Sequence, residues 1–293
     1  EGPAVTTYEL APAAGTRVAT ILGLAPDLAI HLAVPAIRIV YPLPNRTTIG
    51  LEVPNPRPAQ VRLRAFVEKT REFPEMALPL FLGEGRGGRP MTVDLARLGH
   101  LLIAGTTGSG KSTCQTTVLL SMLLTRTPED LKLILVDPKM VELSAFKDIP
   151  HLMSPVVTDV KRAPLLLDWL VRQMEARYGL FARVGVKKIE QFNQLGQKKV
   201  LKKLTADGGE SPDVPTHLPY IVVIVDELAD LMIVSAKEVE AAIARLSQKS
   251  PAVGIHLVIA TQRPSVYVIT GLINANMPNR ISFKVSATLD SRT

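Results

Sequence analysis

Residues 100–112 read HLLIAGTTGSGKS, and this stretch decides the fold. Its first part, Leu101–Ala104, is a short apolar run typical of a buried strand, and residues 105–112 match the pattern G-x-x-x-x-G-K-[ST]. A helix-forming run, Thr113–Leu124, follows directly. A strand, a glycine-rich loop and a helix in this order predict a phosphate-binding loop. The alternative, a chance turn rich in glycine and serine, does not account for the strand before it and the helix after it.

The residue types of this loop suit the β- and γ-phosphates of ATP. Glycines let the backbone wrap a phosphate closely, while backbone N–H groups and the helix N-terminus supply positive potential. We expect Lys111 to reach the phosphates and the Ser112 hydroxyl to ligate Mg²⁺. The residues predicted to bind ATP are Gly105, Thr106, Thr107, Gly108, Ser109, Gly110, Lys111, Ser112 and Thr113.

A second apolar run, Tyr220–Val225, delivers two carboxylates, Asp226 and Glu227, at its carboxyl end. We expect Asp226 to hold Mg²⁺, directly or through water, and Glu227 to polarise the attacking water, because water is a poor nucleophile that needs a positioned acceptor. The alternative is a helix N-cap followed by an acidic residue that the helix dipole favours.

A third apolar run, His256–Ala260, leads into Thr261-Gln262-Arg263-Pro264. If this strand lies between the strands that precede Lys111 and Asp226, Gln262 becomes a sensor of the γ-phosphate. The alternative is an amide that caps a loop.

A fourth apolar run, Leu131–Val136, ends in Asp137-Pro138-Lys139, and Glu142 follows closely. These charges also lie at a carboxyl strand end, where open α/β sheets bind their ligands. A local ion pair explains them equally well.

The four runs are continuously apolar rather than alternating, which is typical of a parallel sheet covered on both faces. Helical patterns separate them, so we predict an α/β fold with right-handed crossovers. Residues 1–76 form a predicted small mixed α/β domain, and residues 77–293 form the predicted ATPase domain. Gln197–His217, which is rich in lysine, glycine and proline, is predicted to be a mobile surface loop, a solvated insertion rather than a contact to DNA.

The charge, the cysteine content and the apolar runs of the sequence limit the kinds of partner and site that the chain can have. The formal charge of +7 permits a polyanionic partner without requiring one. Cys114 is the only cysteine, which excludes an intrachain disulfide and a cysteine-rich metal site. No apolar run approaches about 18 residues, so no transmembrane helix is predicted. Both ends of the sequence suggest a fragment of a longer chain.

Taken together, the motifs resemble the motor of the FtsK/SpoIIIE family of bacterial DNA translocases, and the resemblance covers nearly the whole chain. The matching runs are Gly2–Leu10, His100–Ser112, Val136–Ser144, Ile149–Leu152, Met174–Tyr178, Leu218–Asp230 and Ala260–Ser265. One position departs from the family pattern: Tyr267 stands where the family usually has aspartate.

The resemblance implies a small α domain before a RecA-like β domain that is truncated at its C-terminal end. It further implies a hexameric ring that threads double-stranded DNA during chromosome segregation at cell division. The motor would lie at the cytoplasmic face of the bacterial inner membrane, attached through a membrane region outside this chain. An absent C-terminal domain would read DNA orientation and contact a site-specific recombinase. No residue is assigned to DNA.

Ring ATPases usually complete their site with an arginine from the next protomer. Arg280 and Arg292 are the candidates because both lie near the strand-like run Ile281–Val285. For Arg280, a local salt bridge is an equal alternative. At the level of function, the alternatives are a related ring ATPase that moves protein, such as a secretion motor, and a P-loop switch. The absence of an Asn-Lys-x-Asp motif counts against a GTPase switch.

Overall fold

The structure is a computed structural model that describes residues 1–43, 46–69, 73–85, 87–205 and 215–292. The chain forms two compact units. One comprises Glu1–Pro74 and Phe81–Thr92, and the other comprises Glu75–Leu80 and Val93–Thr293. This division into compact units does not test the predicted domain boundary between residues 76 and 77, which stays a prediction.

The smaller unit contains an antiparallel sheet. Its described strands are β1 (Val5–Leu10), β2 (Arg38–Val40) and β3 (Ile49–Pro54), in the order β1-β3-β2. Its helices are α1 (Val18–Gly23), α2 (Ala25–His31) and α3 (Leu63–Lys69). Phe66 of α3 is buried against Phe81, with ring centroids 5.8 Å apart.

Two further strands, β4 (Pro79–Glu84) and β5 (Pro90–Asp94), form a two-stranded sheet. A short helix, α4 (Leu95–Leu98), follows. The buried carboxylate of Asp94 caps this helix by accepting a hydrogen bond from the Ala96 amide at 3.0 Å, and it accepts a second from Leu78 at 2.8 Å.

The larger unit is built on a parallel sheet. The strands found in the described residues are β6 (Leu101–Ala104), β7 (Leu131–Val136), β8 (Tyr220–Val225), β9 (Ile255–Thr261) and β10 (Arg280–Ser282). Their order is β10-β6-β9-β8-β7, and every paired neighbour is parallel. The predicted insertion of β9 between β6 and β8 is therefore confirmed. Strands β8 and β9 are buried along their whole length, as continuous apolar runs predict.

Helices alternate with these strands. They are α5 (Lys111–Leu123), α6 (Ala163–Val184), α7 (Ile189–Leu195), α8 (Gln197–Thr205), α9 (Leu228–Lys249), α10 (Gly271–Asn276) and α11 (Thr288–Arg292). Helix α6 buries Leu170 and Met174, which are four residues apart and therefore lie on one face of the helix. The buried Arg177 of α6 donates hydrogen bonds to the carbonyls of Val253 and Pro219 at 2.7 and 2.8 Å. No helix in the described ranges is both long and apolar enough to cross a membrane.

The prediction of a loop over Gln197–His217 is wrong for its first nine residues, which form α8. Val200 and Leu204 lie one turn apart and are both buried, while Lys203 donates a hydrogen bond to the Val184 carbonyl at 2.6 Å. Two apolar residues at i and i+4 are enough to dock this short helix, although the segment is otherwise strongly polar. Gly208, Gly209 and Pro212, which supported the loop prediction, lie outside the described residues.

Candidate active site

The loop between β6 and α5 is anchored by the strand beside it and by the residues that follow β10. The Gly105 amide donates to the Thr261 carbonyl at 3.2 Å, and the Thr106 amide donates to the Lys284 carbonyl at 3.0 Å. A Cβ atom at Gly105 would lie only 2.7 Å from Cβ of Phe283, so this position requires glycine. Gly110 has a φ of +108°, a left-handed conformation that also favours glycine. The fixed loop opens onto a cleft lined by residues 106–108 and 110–113 together with Glu142 and Gln262.

A buried ion pair lies at the base of this cleft. The Lys111 ammonium donates to the Asp226 carboxylate (Oδ1) at 2.8 Å and to the Asp226 main-chain carbonyl at 3.0 Å, and both side chains are at most 2% exposed. Gln115, one turn along α5, accepts a third hydrogen bond from Lys111 at 3.0 Å. All three donor positions of the ammonium are therefore engaged before any phosphate is bound.

The oxygen groups at this point suit a magnesium ion. Asp226 Oδ2 is buried and has no hydrogen-bond partner among the described residues, which marks it as an acceptor that awaits a ligand. The Ser112 hydroxyl, also at the cleft, donates to Glu142 Oε1 at 2.6 Å. Hydroxyl and carboxylate oxygens are ligands that Mg²⁺ accepts, and the ion usually keeps water and nucleotide phosphates as its other ligands. The described residues contain no cluster of three or more histidine, cysteine or acidic side chains that could hold a metal alone.

Glu227 is buried at the start of α9, between β8 and β9. Its Oε1 accepts the Thr261 hydroxyl at 2.7 Å, and its Oε2 accepts the Gln262 amide at 3.1 Å. It also caps α9 by accepting from the Ala229 amide at 3.3 Å. The N-cap that the sequence offered as an alternative is thus Glu227 itself rather than Asp226. Capping and a role in hydrolysis use the same carboxylate and do not exclude each other.

Gln262 reaches the phosphate-binding loop. Its side-chain oxygen accepts a hydrogen bond from the Thr107 hydroxyl at 2.9 Å, and its backbone amide contacts Glu227. Gln262 therefore touches both the loop and the acidic residue, and its role as a phosphate sensor stays a prediction. The contact with Thr107 is also consistent with the alternative of a loop-capping amide.

The charged residues after β7 turn toward the same region. Asp137 is buried and accepts a hydrogen bond from the Leu143 amide at 2.9 Å, which closes the segment into a tight loop. At the tip, Met140 adopts a left-handed φ of +56°. The Lys139 ammonium lies 3.6 Å from Glu227 Oε2 and 3.9 Å from Asp230 Oδ2. Lys139 thus pairs with carboxylates supplied by the end of β8 and by α9, which are distant in sequence, rather than with the neighbouring Asp137 or Glu142 that a local ion pair would use.

The two candidate arginines lie elsewhere on the larger unit. Arg280 is exposed and donates to the carbonyls of Met277 and Asn274, at 3.0 and 2.7 Å, at the end of α10. Arg292 is exposed on α11. Neither is among the residues that line the cleft. A role in a neighbouring subunit's site stays a prediction.

Three contributors were missed at the sequence level: Gln115, Thr261 and the contact of Lys139 with Glu227. Gln115 could have been found, because it lies four residues after Lys111 and so on the same face of α5. Thr261 directly precedes Gln262 at the end of β9. The Lys139 contact depends on how the loop after β7 folds, which no sequence spacing reveals.

Comparisons with known proteins agree with this geometry. A family model described as "FtsK/SpoIIIE family" matches residues 63–266, and one described as "FtsK alpha domain" matches residues 1–55. The chain is 49% identical over 308 residues to the DNA translocase FtsK of Pseudomonas syringae pv. tomato. It is 48% identical over 293 residues to the DNA translocase SpoIIIE of Bacillus subtilis. Both alignments cover all of this chain but only 38% and 36% of the relatives, so the chain spans little more than a third of their length.

Among solved structures, the chain is similar to the monomer form of the pCW3 conjugation coupling protein TcpA with ATPγS. The TM-score is 0.61 at 25% identity, and the match covers 100% of this chain and 77% of that one. The larger unit thus has the RecA-like P-loop ATPase fold that the order of the sequence motifs predicts.

Proposed function

The chain belongs to the FtsK/SpoIIIE family, and from that premise we propose that it is the ATP-hydrolysing motor portion of a double-stranded DNA translocase. Gly105–Thr113 bind the phosphates of ATP, and Ser112 and Asp226 hold Mg²⁺. Glu227 orients the attacking water, and Gln262 senses the γ-phosphate.

One observation carries the proposal most directly. Lys111, Ser112 and Gln262 line one cleft, and the carboxylate of Asp226 is bonded to Lys111 at its base. These residues come from three separate strand ends, so their meeting is a consequence of the strand order β6-β9-β8. Open parallel sheets bind ligands at the carboxyl ends of their strands, which supports a ligand site here.

The side chains support a division of labour in hydrolysis. Lys111 is held in place by Asp226 and Gln115, and it exchanges at least one of these hydrogen bonds for a phosphate oxygen when nucleotide binds. Mg²⁺ in this position would neutralise charge on the β- and γ-phosphates. Glu227 is fixed by Thr261 and by the Gln262 amide, and a fixed carboxylate is a better acceptor for a proton of the attacking water than a mobile one. Catalysis of phosphoryl transfer rests mainly on such positioning and electrostatics.

For the whole assembly, we propose a homo-hexameric ring that hydrolyses ATP to move double-stranded DNA through its pore in chromosome segregation at cell division. The names of the relatives, DNA translocase FtsK and DNA translocase SpoIIIE, support this reading. The motor would work at the cytoplasmic face of the bacterial inner membrane, joined to the membrane by a region outside this chain. A site-specific recombinase would be a partner through another region outside it.

The test is steady-state ATP turnover with and without duplex DNA. We expect duplex DNA to raise turnover several-fold in the parent chain. Lys111→Ala should abolish turnover in both conditions, because it removes the cation that meets the phosphates. Glu238→Gln, an exposed charge change on α9, is the matched control and should behave as the parent. DNA-independent turnover at low salt would favour a motor that moves protein, or a switch.

A further inference from the structure

The loop that follows β7, residues 137–143, places a carboxylate inside the phosphate cleft. Glu142 lines the cleft and accepts the Ser112 hydroxyl at 2.6 Å. Its position is set by the loop around it, since the buried Asp137 fastens the Leu143 amide next to Glu142 at 2.9 Å. Glu142 is half-buried, so its charge is only partly screened by water. A carboxylate is an unexpected lining for a site that binds a polyanion.

The other charges around the cleft increase the repulsion that Glu142 exerts on a polyanion. Lys111 is the cation of the cleft lining, but its charge is already matched by Asp226 at 2.8 Å. With Glu142 added, the three side chains Lys111, Asp226 and Glu142 carry a net negative charge. A triphosphate without a metal ion would bring several further negative charges against it. Repulsion between like charges a few ångströms apart in a partly buried site costs far more than it does in bulk water.

The contact with Ser112 has a second effect. A hydroxyl has one proton to donate and two lone pairs that accept. Because the Ser112 hydroxyl donates its hydrogen bond to Glu142, the lone pairs of the Ser112 oxygen are available to bind a metal ion. Hydrogen bonds of this kind orient a ligand and raise its basicity. Glu142 therefore opposes a bare polyphosphate and at the same time prepares the Ser112 oxygen for the ion.

We propose that Glu142 is a positioning and specificity-determining residue that makes the cleft selective for the metal-loaded nucleotide over the metal-free one. The inference rests on the proposed nucleotide site and adds a role for a residue outside the phosphate loop and outside the Asp226–Glu227 pair. It does not require Glu142 to touch the reacting atoms.

The experiment is equilibrium binding of ATPγS by calorimetry, once with excess Mg²⁺ and once with EDTA. For the parent chain we expect much tighter binding with Mg²⁺. In Glu142→Gln, metal-free binding should tighten by about tenfold, as loss of one like charge predicts, and Mg²⁺-dependent binding should weaken. The ratio of the two dissociation constants should therefore fall. Glu238→Gln removes an exposed carboxylate of α9 and should leave the ratio unchanged.

A second variant separates charge from shape. Glu142→Asp keeps the negative charge on a shorter side chain, so it should still disfavour the metal-free nucleotide. An unchanged ratio in Glu142→Gln, with normal Mg²⁺-dependent binding by the parent, would overturn this inference and leave the proposed function standing. Failure of the parent to bind ATPγS in either condition would overturn the proposed nucleotide site and this inference together.

Discussion

At the scale of single residues, Glu227 has the richest set of contacts in the site. It accepts from Thr261, from the Gln262 amide and from the α9 N-terminus, and Lys139 lies 3.6 Å away. These contacts fix the carboxylate, but they also mean that truncation to alanine would remove a helix cap, worth about 1 kcal/mol. The isosteric change to glutamine is therefore the cleaner probe of its chemistry.

We expect Glu227→Gln to retain nucleotide affinity within a few-fold and to lose ATP turnover by about a hundredfold or more, because the amide cannot take a proton from water. Nucleotide binding and steady-state turnover are measured on the same preparation. Lys111→Ala should differ by losing affinity as well, since Lys111 contacts phosphate charge directly. If Glu227→Gln hydrolysed ATP near the parent rate, the role assigned to Glu227 would be wrong.

At the scale of elements, two buried histidines join β6 to β9. The Leu257 amide donates to His100 at 3.0 Å, and His256 contacts the Gly99 carbonyl at 2.7 Å. Burial lowers the pKa of His256 to about 4. Burial and the neighbouring His256 together lower the pKa of His100 to about 3. Both imidazoles are thus neutral in the folded sheet at pH 7.

Stability should consequently fall on acidification. Both histidines have folded pKa values below the unfolded value of about 6.5, so the unfolded chain takes up protons first as the pH drops below that value. The loss should reach about 2 kcal/mol for each histidine by pH 5 and continue toward pH 4. Urea unfolding at pH 7 and pH 5 measures it. His256→Gln, which cannot titrate, should lose less stability over this interval, and an equal loss would refute the assignment.

The sequence predicts elements well where burial is complete and poorly where it is partial. Strands β7 and β8 match their apolar runs at both ends, because every residue in them lies inside the sheet or nearly so. Helix α8 was missed because Val200 and Leu204 are its only two buried side chains in an otherwise polar segment. The phosphate loop and the Asp226–Glu227 pair could be read from motifs. The roles of Glu142 and Lys139 could not, because they depend on a loop whose path is set by the buried Asp137.

At the scale of the whole molecule, the cleft of one chain contains no arginine among its described lining residues. A ring would supply one from the neighbouring subunit, and the exposed Arg280 and Arg292 are the candidates. Each arginine variant alone should be inactive if that arginine acts in trans. Mixing Lys111→Ala chains with Arg280→Ala or Arg292→Ala chains should then restore part of the ATP turnover. At some interfaces an intact Lys111 from the arginine variant meets an intact arginine from the Lys111→Ala chain.

The readout is turnover of each mixture against the same variants assayed separately. Since Arg280 also donates to carbonyls at the end of α10, thermal unfolding of Arg280→Ala is the necessary control for stability. Rescue in one mixture identifies the arginine. Absence of rescue in both mixtures would contradict action in trans by either residue.

We expect the chain to bind duplex DNA through its phosphates. The chain carries a formal charge of +7, and a ring would repeat that charge around one pore. A motor that moves along DNA needs contacts that it can release, which favours many weak phosphate contacts over a few tight contacts to bases. Phosphate contacts release counterions, so we expect affinity for duplex DNA to fall by about a thousandfold between about 50 and 200 mM salt if six phosphates are neutralised. Two duplexes of unrelated sequence should bind alike. Fluorescence anisotropy of labelled duplexes across this range of salt concentration measures both effects. An affinity that did not change with salt but depended on DNA sequence would indicate contacts to bases, and would contradict the proposed binding through phosphates.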